Sequence, residues 1–152
     1  MDIFAITPAS SKPLWLLSII CVLLLLVLIA LAFVAYASRN SSVEVNSAHI
    51  KLSGDFWGRE ISIDNLNVAA LRVINLEQDL AYKPKWRTLG TGLPGYSSGW
   101  FKLRNGEKAL VYLTRKNDVV YLPTTLGYAL MLSLDETDAF IKKLKYYKNK
   151  TG

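Results

Sequence analysis

The strongest constraint on this chain is an apolar stretch from Leu14 to Ala37, which contains no charged residue, no Gly and no Pro. A helix rises about 1.5 Å per residue, so this stretch would span roughly 36 Å, more than the roughly 30 Å of a bilayer's hydrocarbon core. Trp15 and Tyr36 stand near its two ends, where amphipathic aromatic rings favour the headgroup region. The stretch therefore predicts one transmembrane helix over residues 14–37.

A cleaved signal peptide is the main alternative to a retained anchor. Ala35-Tyr36-Ala37 has the A-x-A form of a cleavage site. The hydrophobic region of a signal peptide is about 7–15 residues long, however, and this stretch is much longer. We therefore expect a retained anchor and a single-pass membrane protein.

The remaining residues divide into four further segments. Residues 1–13 form a short N-terminal tail, 38–42 a polar linker, 43–147 one small domain and 148–152 a basic tail. Cys21 is the only cysteine, which excludes an intramolecular disulfide.

The domain carries the patterns of antiparallel β-structure. Apolar and polar residues alternate around Ile50 and Ile61, and again from Trp100 to Arg104. Asn105-Gly106 predicts a two-residue type I′ hairpin turn. Further short apolar runs up to Ser133 predict an antiparallel meander.

The last element changes to a helical period. Phe140, Leu144 and Tyr147 share one helical face, and Ser133 with Glu136 has the form of a capping box. We predict a mainly-β domain closed by one C-terminal α-helix.

Several short motifs resemble a bacterial pleckstrin-homology-like (PH-like) domain family. They are Arg87 to Tyr96 (RTLGTGLPGY), Gly99-Trp100-Phe101, Asn105 to Leu110 (NGEKAL) and Tyr121 to Thr125 (YLPTT). The resemblance covers roughly Val43 to Tyr147. It implies a PH-like antiparallel β-barrel with a capping helix, and it implies little about activity because a shared fold does not transfer a ligand.

A G-x-G-x-x-G match runs from Gly90 to Gly95. In a dinucleotide site such glycines join a strand to a helix, but a β-pattern follows here and Pro94 lacks an N–H donor. The sequence therefore favours a structured loop, and a candidate interaction loop comprises Gly90, Gly92, Pro94, Gly95, Tyr96 and Gly99.

The search for catalytic or metal-binding residues finds no persuasive set. His49 is the only histidine and lies in a predicted strand, and Cys21 lies in the apolar stretch, so no zinc site is expected. The acids Asp135, Glu136 and Asp138 suit a helix N-terminus. We expect no cofactor, no metal and no enzymatic activity, with an enzyme using the Gly90–Gly99 loop as the weaker alternative.

The net charge of +6 is concentrated in two acid-free regions. They supply the candidate residues for binding an anionic surface: Lys83, Lys85, Arg87, Trp100, Lys102, Arg104, Lys142, Lys143 and Lys145. Near a bilayer such clusters are attracted to anionic lipid. Without a recognised nucleic-acid-binding motif, nucleic acid is not an expected partner.

The predicted function is a non-catalytic, membrane-tethered binding or scaffold module. It would contact anionic lipid headgroups or an acidic protein. The alternative is a structural subunit of a membrane complex or a homo-oligomer. Lys12 and Arg39 flank the anchor almost symmetrically, so the positive-inside rule gives almost no preference between the two orientations. The basic domain favours the cytoplasmic side, and the resemblance implies that the membrane is a bacterial cytoplasmic (inner) membrane.

Overall fold

A computed structural model describes residues 4–152. The chain forms two compact units, the first ending at Tyr36 and the second comprising Ala37–Gly152. Helix α1 (Lys12–Asn40) contains the whole predicted span and extends past it at both ends. Its most apolar window has a mean hydropathy of 3.4 and no buried residues. By length and composition this helix fits a membrane span. A signal sequence near the N-terminus meets the same criteria of length and composition.

The second unit begins with a small antiparallel sheet of three strands. These are β1 (Ser42–Val45), β2 (His49–Ser53) and β3 (Glu60–Ser62). Ile50 of β2 pairs with Ile61 of β3, and both side chains are buried, as their alternation predicts. Two 3-10 turns follow, at Ile63–Asn65 and Val68–Ala70.

A larger sheet holds the other six strands, in the order β4-β8-β9-β7-β6-β5. Their bounds are β4 (Arg72–Ile74), β5 (Pro84–Leu93), β6 (Tyr96–Leu103), β7 (Lys108–Leu113), β8 (Val119–Pro123) and β9 (Ala129–Ser133). A third 3-10 turn, Leu80–Tyr82, precedes β5.

The predicted antiparallel meander is wrong at one point. β9 inserts between β7 and β8 and runs parallel to β7, with Leu110 beside Leu130. The turn from β7 to β8 therefore passes over the end of β9. Ser133 Oγ accepts from the Arg115 N–H and donates to the Arg115 carbonyl at this crossing.

The central strands of the large sheet, β7, β8 and β9, are buried on both faces. Leu110, Leu122 and Leu130 pack toward the small sheet and the C-terminal helix. Val111 and Met131 pack on the opposite face with Leu76 and Phe101, under the segment that connects β4 to β5. Burial on both faces explains the near-continuous apolar runs of β7, β8 and β9.

The strand pairs of residues 4–152 form two separate sheets that do not close into a barrel. The predicted apolar N-terminal helix, mostly antiparallel strands and C-terminal helix are confirmed, whereas the predicted closed barrel is not confirmed.

The C-terminal helix α2 spans Thr137–Thr151 and starts later than the capping box predicts. Its N-cap residue is Glu136, and no side chain caps it. The capping-box prediction is therefore wrong, because the Ser133 hydroxyl is engaged by Arg115 instead. The predicted apolar face is confirmed: Leu144 is fully buried, and Phe140 and Tyr147 pack against the same core.

The β6–β7 connection is a three-residue loop and not the predicted two-residue turn. The Leu103 N–H donates to the Glu107 carbonyl, and the Gly106 N–H donates to the Leu103 carbonyl. Gly106 has φ +90°, whereas Asn105 does not have a positive φ. The extra residue shifts the register by one, so Lys108 lies opposite Lys102.

Candidate functional site

The glycine-rich stretch is a β-hairpin and not a loop. Gly90 and Gly92 belong to β5, Gly99 belongs to β6, and only Pro94-Gly95 forms the turn between Leu93 and Tyr96. Proline at the second turn position and a glycine with φ +78° at the third are the pattern of a type II turn. The candidate interaction loop therefore reduces to this two-residue turn.

Tyr96 is almost completely buried and is not available as an interaction residue. Its Oη lies 3.4 Å from Ser41 Oγ, within hydrogen-bond reach. Gly99 is covered in a similar way, because a Cβ built on it would lie 3.2 Å from Trp57 Nε1. These positions contribute to packing.

The hairpin turn forms one wall of an open groove of about 880 Å³. Leu113 to Asn117 and Asn75 to Glu77 supply the other walls, and Lys83 and Pro84 complete the lining. This lining contains no His or Cys, and its one acid, Glu77, lies 4.0 Å from Lys116 Nζ.

The predicted basic residues fall on both faces of the β5–β6 hairpin. Trp86 pairs with Lys102, and Lys102 pairs with Lys108 on the next strand, so these three side chains form a row on one face. Arg87 pairs with the buried Phe101 and thus lies on the opposite face. The sheet therefore separates Arg87 from Lys102.

Trp100 is the aromatic centre of this row. It lies two residues from Lys102 on the same face and is half-buried. Arg59 Cζ lies 4.6 Å from its ring centroid, and Lys108 Nζ lies 4.5 Å from it. The Tyr128 ring meets it edge-on at 4.9 Å. Cation–π attraction holds both cations beside the ring.

Sequence reasoning missed Arg59 and Lys108. The predicted two-residue turn pairs Leu103 with Lys108 and so assigns Lys108 to the buried face. A one-residue slip of register exchanges the two faces of a strand. The register of the three-residue loop would have identified Lys108. Arg59 lies just before β3, far from Trp100 in the sequence, so no local pattern predicts their contact.

Lys83, Lys85 and Arg104 lie at the end of the same hairpin. The Arg104 N–H donates to the Lys83 carbonyl at 3.1 Å, which brings the two residues together. Lys85 Nζ lies 5.7 Å from the Trp86 ring centroid. We group these residues with the row above and call the set the basic surface: Arg59, Lys83, Lys85, Lys102, Arg104 and Lys108, with Trp86 and Trp100. Lys83 also lines the groove.

None of the six cations of the basic surface takes part in the ion pairs found within residues 4–152. Those pairs are His49–Glu60, Lys51–Glu60, Arg115–Asp135 and Lys116–Glu77. Lys102 directly opposite Lys108 is a like-charge cross-strand pair, which destabilises a sheet. The basic surface is therefore an electrostatically uncompensated part of the domain.

The predicted lysines of the C-terminal helix form a second basic region. Lys142, Lys143 and Lys145 are exposed on α2, which packs against β1 and the first two 3-10 turns. Lys148 is used differently, because its Nζ donates to the carbonyls of Ile63 and Asp64.

Two buried tyrosines hold carboxylates by hydrogen bonds. Tyr112 Oη donates to Asp55 Oδ1 at 2.6 Å, and Tyr121 Oη donates to Glu107. Burial raises the pKa of each phenol, and the hydrogen bond to the carboxylate raises each pKa further. These pairs join β7 to the turn before β3 and β8 to the start of β7.

The His49 side chain lies on strand β2, as predicted. Its ring contacts Asn46 Nδ2 at 3.1 Å and Glu60 at 3.9 Å. Within residues 4–152 no group of three or more His, Cys, Asp or Glu side chains is placed to hold a metal ion.

These features define a small β-rich domain that follows an apolar helix and is closed by a C-terminal helix. A family model described as a bacterial PH domain matches residues 40–148, and the chain belongs to that family. The match confirms the resemblance seen in the sequence motifs. Neither the curated proteins nor the solved structures give a match to this chain.

Proposed function

We propose that this chain is a non-catalytic binding module, held at a bacterial cytoplasmic membrane by α1, whose basic surface contacts anionic lipid headgroups. Family membership supports a binding role, since PH-like domains are generally non-catalytic. The observation that carries the proposal is that none of the six cations of the basic surface is paired with a carboxylate within residues 4–152, while two of them lie against the Trp100 ring.

The composition of the basic surface suits a lipid headgroup layer. Trp86 is 62% exposed, and amphipathic indole rings favour the membrane interface. Each exposed Lys or Arg near an anionic bilayer contributes about 1 kcal/mol of attraction, which salt screens. Tethering by α1 raises the effective concentration of the domain at the bilayer, so individually weak contacts are populated.

The soluble domain is placed on the cytoplasmic side in this proposal, where anionic lipid provides the negative surface potential. A reporter fused after Gly152 tests the orientation directly. A signal only on the opposite side of the membrane would contradict it.

Liposome binding by the Ala37–Gly152 unit tests the lipid contact. This unit has its own core, and circular dichroism would confirm that each variant is folded. We expect flotation with liposomes to rise with anionic lipid content, to fall with salt, and to drop strongly for Lys102→Glu with Lys108→Glu.

Arg87→Glu is a matched control, because it makes an equal change of charge per residue on the opposite face of the hairpin. Removing Lys142, Lys143 and Lys145 by substitution with Gln separates the contribution of α2. If the parent fragment ignores anionic liposomes at low salt, lipid is excluded and an acidic protein becomes the partner to seek.

A further inference from the structure

Strand β5 has a free edge. It is ten residues long, and within residues 4–152 its only strand partner is β6. The other side of β5 therefore presents N–H and C=O groups that no neighbouring strand pairs. Such an edge is a template for another strand unless charge, proline or bulges protect it.

The first half of β5 carries these protections. It begins with Pro84, it contains Lys85 and Arg87, and its register shifts twice, between Pro84 and Trp86 and between Arg87 and Leu89. Thr88 Oγ1 donates to the Trp100 carbonyl at 2.9 Å beside the second irregularity. Another strand would meet charge and a distorted ladder here.

The second half of β5, from Leu89 to Leu93, has none of these protections. Its register with β6 is regular, it is uncharged, and its leucines at positions 89 and 93 are 58% and 45% exposed. The sequence of this half, Leu-Gly-Thr-Gly-Leu, reads the same in both directions.

We propose that residues 89–93 pair antiparallel with the same residues of a second copy of this chain, with Thr91 on the two-fold axis. The palindrome then places Leu89 opposite Leu93 of the second copy, and Gly90 opposite Gly92. Both chains present the same patch, as a two-fold interface requires. The two six-stranded sheets become one continuous sheet.

The side chains of this pairing are mutually compatible. Leu89, Thr91 and Leu93 alternate onto one face, where four leucines flank a central pair of threonines. Apolar and Thr–Thr cross-strand pairs are both favourable. The other face carries glycines, and the flexible end of the Arg87 side chain lies beside Gly92 there. That end would have to turn away from the second copy, whereas Lys85 lies outside the paired segment.

A second copy explains the pattern better than an unrelated peptide. A foreign strand needs no palindrome, whereas self-pairing about a two-fold axis uses one directly. A five-residue ladder is a small contact, and membrane tethering would supply the local concentration that it needs. This proposal does not depend on the lipid contact of the basic surface.

Cysteine cross-linking of the full chain in native membranes tests the pairing. In a Cys21→Ser background, Thr91→Cys should form a disulfide-linked dimer under mild oxidation, because directly opposed strand residues have Cβ atoms about 4.5–5.5 Å apart. Leu89→Cys alone should cross-link weakly, whereas co-expressed Leu89→Cys and Leu93→Cys chains should cross-link efficiently. Asn117→Cys, an exposed position in the β7–β8 turn, is the control for random collision.

A lysine introduced on the β5 edge distinguishes dimers that form through this edge from dimers that form through α1. Thr91→Lys should abolish the cross-linking of co-expressed Leu89→Cys and Leu93→Cys chains, whereas Leu126→Lys, at an exposed position outside β5, should not. Thr91→Cys cross-linking no greater than that of Asn117→Cys would overturn the proposal. Dimers that persist with Thr91→Lys would also overturn it.

Discussion

Gly90 and Gly99 lie directly opposite each other in the β5–β6 hairpin, and their backbones are too close to admit a Cβ on either residue. A Cβ on Gly99 would lie 2.5 Å from Gly90 Cα and 2.6 Å from the Leu89 carbonyl oxygen. A Cβ on Gly90 would lie 2.3 Å from the Ser98 carbonyl oxygen. Of the three glycines that resemble a dinucleotide-binding motif, only Gly90 is thus required by the packing of these two strands.

Gly99→Ala should therefore lower the free energy of unfolding by about 2 kcal/mol or more, since overpacking and a positive φ both oppose it. Urea unfolding of the protein in detergent measures this. Gly92→Ala is the matched control in the same hairpin, because its Cβ would meet only the flexible end of Arg87. Equal stabilities of the two variants would contradict the close approach.

Gly106→Val should destabilise the domain by about 1–2 kcal/mol, because a β-branched residue would have to adopt φ +90°. Gly106→Asn should cost less, since asparagine tolerates this conformation. Asn105→Ala should lose only the hydrogen bond from the Glu107 N–H. A larger loss for Asn105→Ala than for Gly106→Val, in the same unfolding assay, would favour a different turn.

Leu144→Ala should lower stability by about 2–5 kcal/mol, because it removes a fully buried side chain that joins α2 to the core. Tyr146→Ala, on the exposed side of the same helix, should be nearly neutral. Thermal unfolding of both variants tests whether α2 is an integral part of the domain. Similar melting temperatures would argue that α2 is only loosely attached.

Alkaline pH should weaken the fold through Tyr112 and Tyr121. The pKa of each phenol is raised in the folded protein, so the folded state binds these protons more tightly than the unfolded chain. The stabilisation is complete below about pH 10, the usual tyrosine pKa, and is lost as pH rises through the higher folded values. Unfolding in urea at pH 8 and above pH 10 should show this loss.

The variant with Tyr112→Phe and Tyr121→Phe provides the comparison for the alkaline experiment. It should be less stable at pH 8, because Asp55 and Glu107 lose a donor, but its stability should decline less above pH 10. An equal decline in parent and variant would assign the alkaline sensitivity to other groups.

The apolar helix should be retained in the mature protein. The protein should stay in the membrane pellet after alkaline extraction, and mass spectrometry should find its N-terminal residues. A soluble product beginning at Ser38 would show instead that residues up to Ala37 are a cleaved signal peptide.

Local patterns predicted the elements whose faces differ in polarity. Ile50, Ile61 and Leu144 follow simple periods, and each is buried as expected. Pairings between distant strands could not be predicted in the same way. β7 and β9 are apolar on both faces, so their sequences do not specify which neighbour each one takes or in which direction.

The basic surface was likewise predictable from local sequence only in part. The acid-free interval identified Lys102 and Arg104, but one extra loop residue decided that Lys108 and not a core side chain lies opposite Lys102. Arg59 reaches Trp100 from the segment just before β3, a contact between distant parts of the chain that only the tertiary structure creates. The predicted helix cap does not form because the Ser133 hydroxyl binds the Arg115 backbone instead. A four-residue capping motif contains no information about that distant partner.

The insertion of β9 between β7 and β8 has a consequence for synthesis of the chain. Before Ala129 has emerged from the ribosome, strands β5, β6 and β7 can form a hairpin-connected unit, and β8 can pair with β4. Among the strands of residues 4–152, no pair joins those two pieces until β9 is made, because β9 supplies both of the ladders that connect them. The nascent domain therefore exposes the apolar edges of β7 and β8 until β9 has been synthesised.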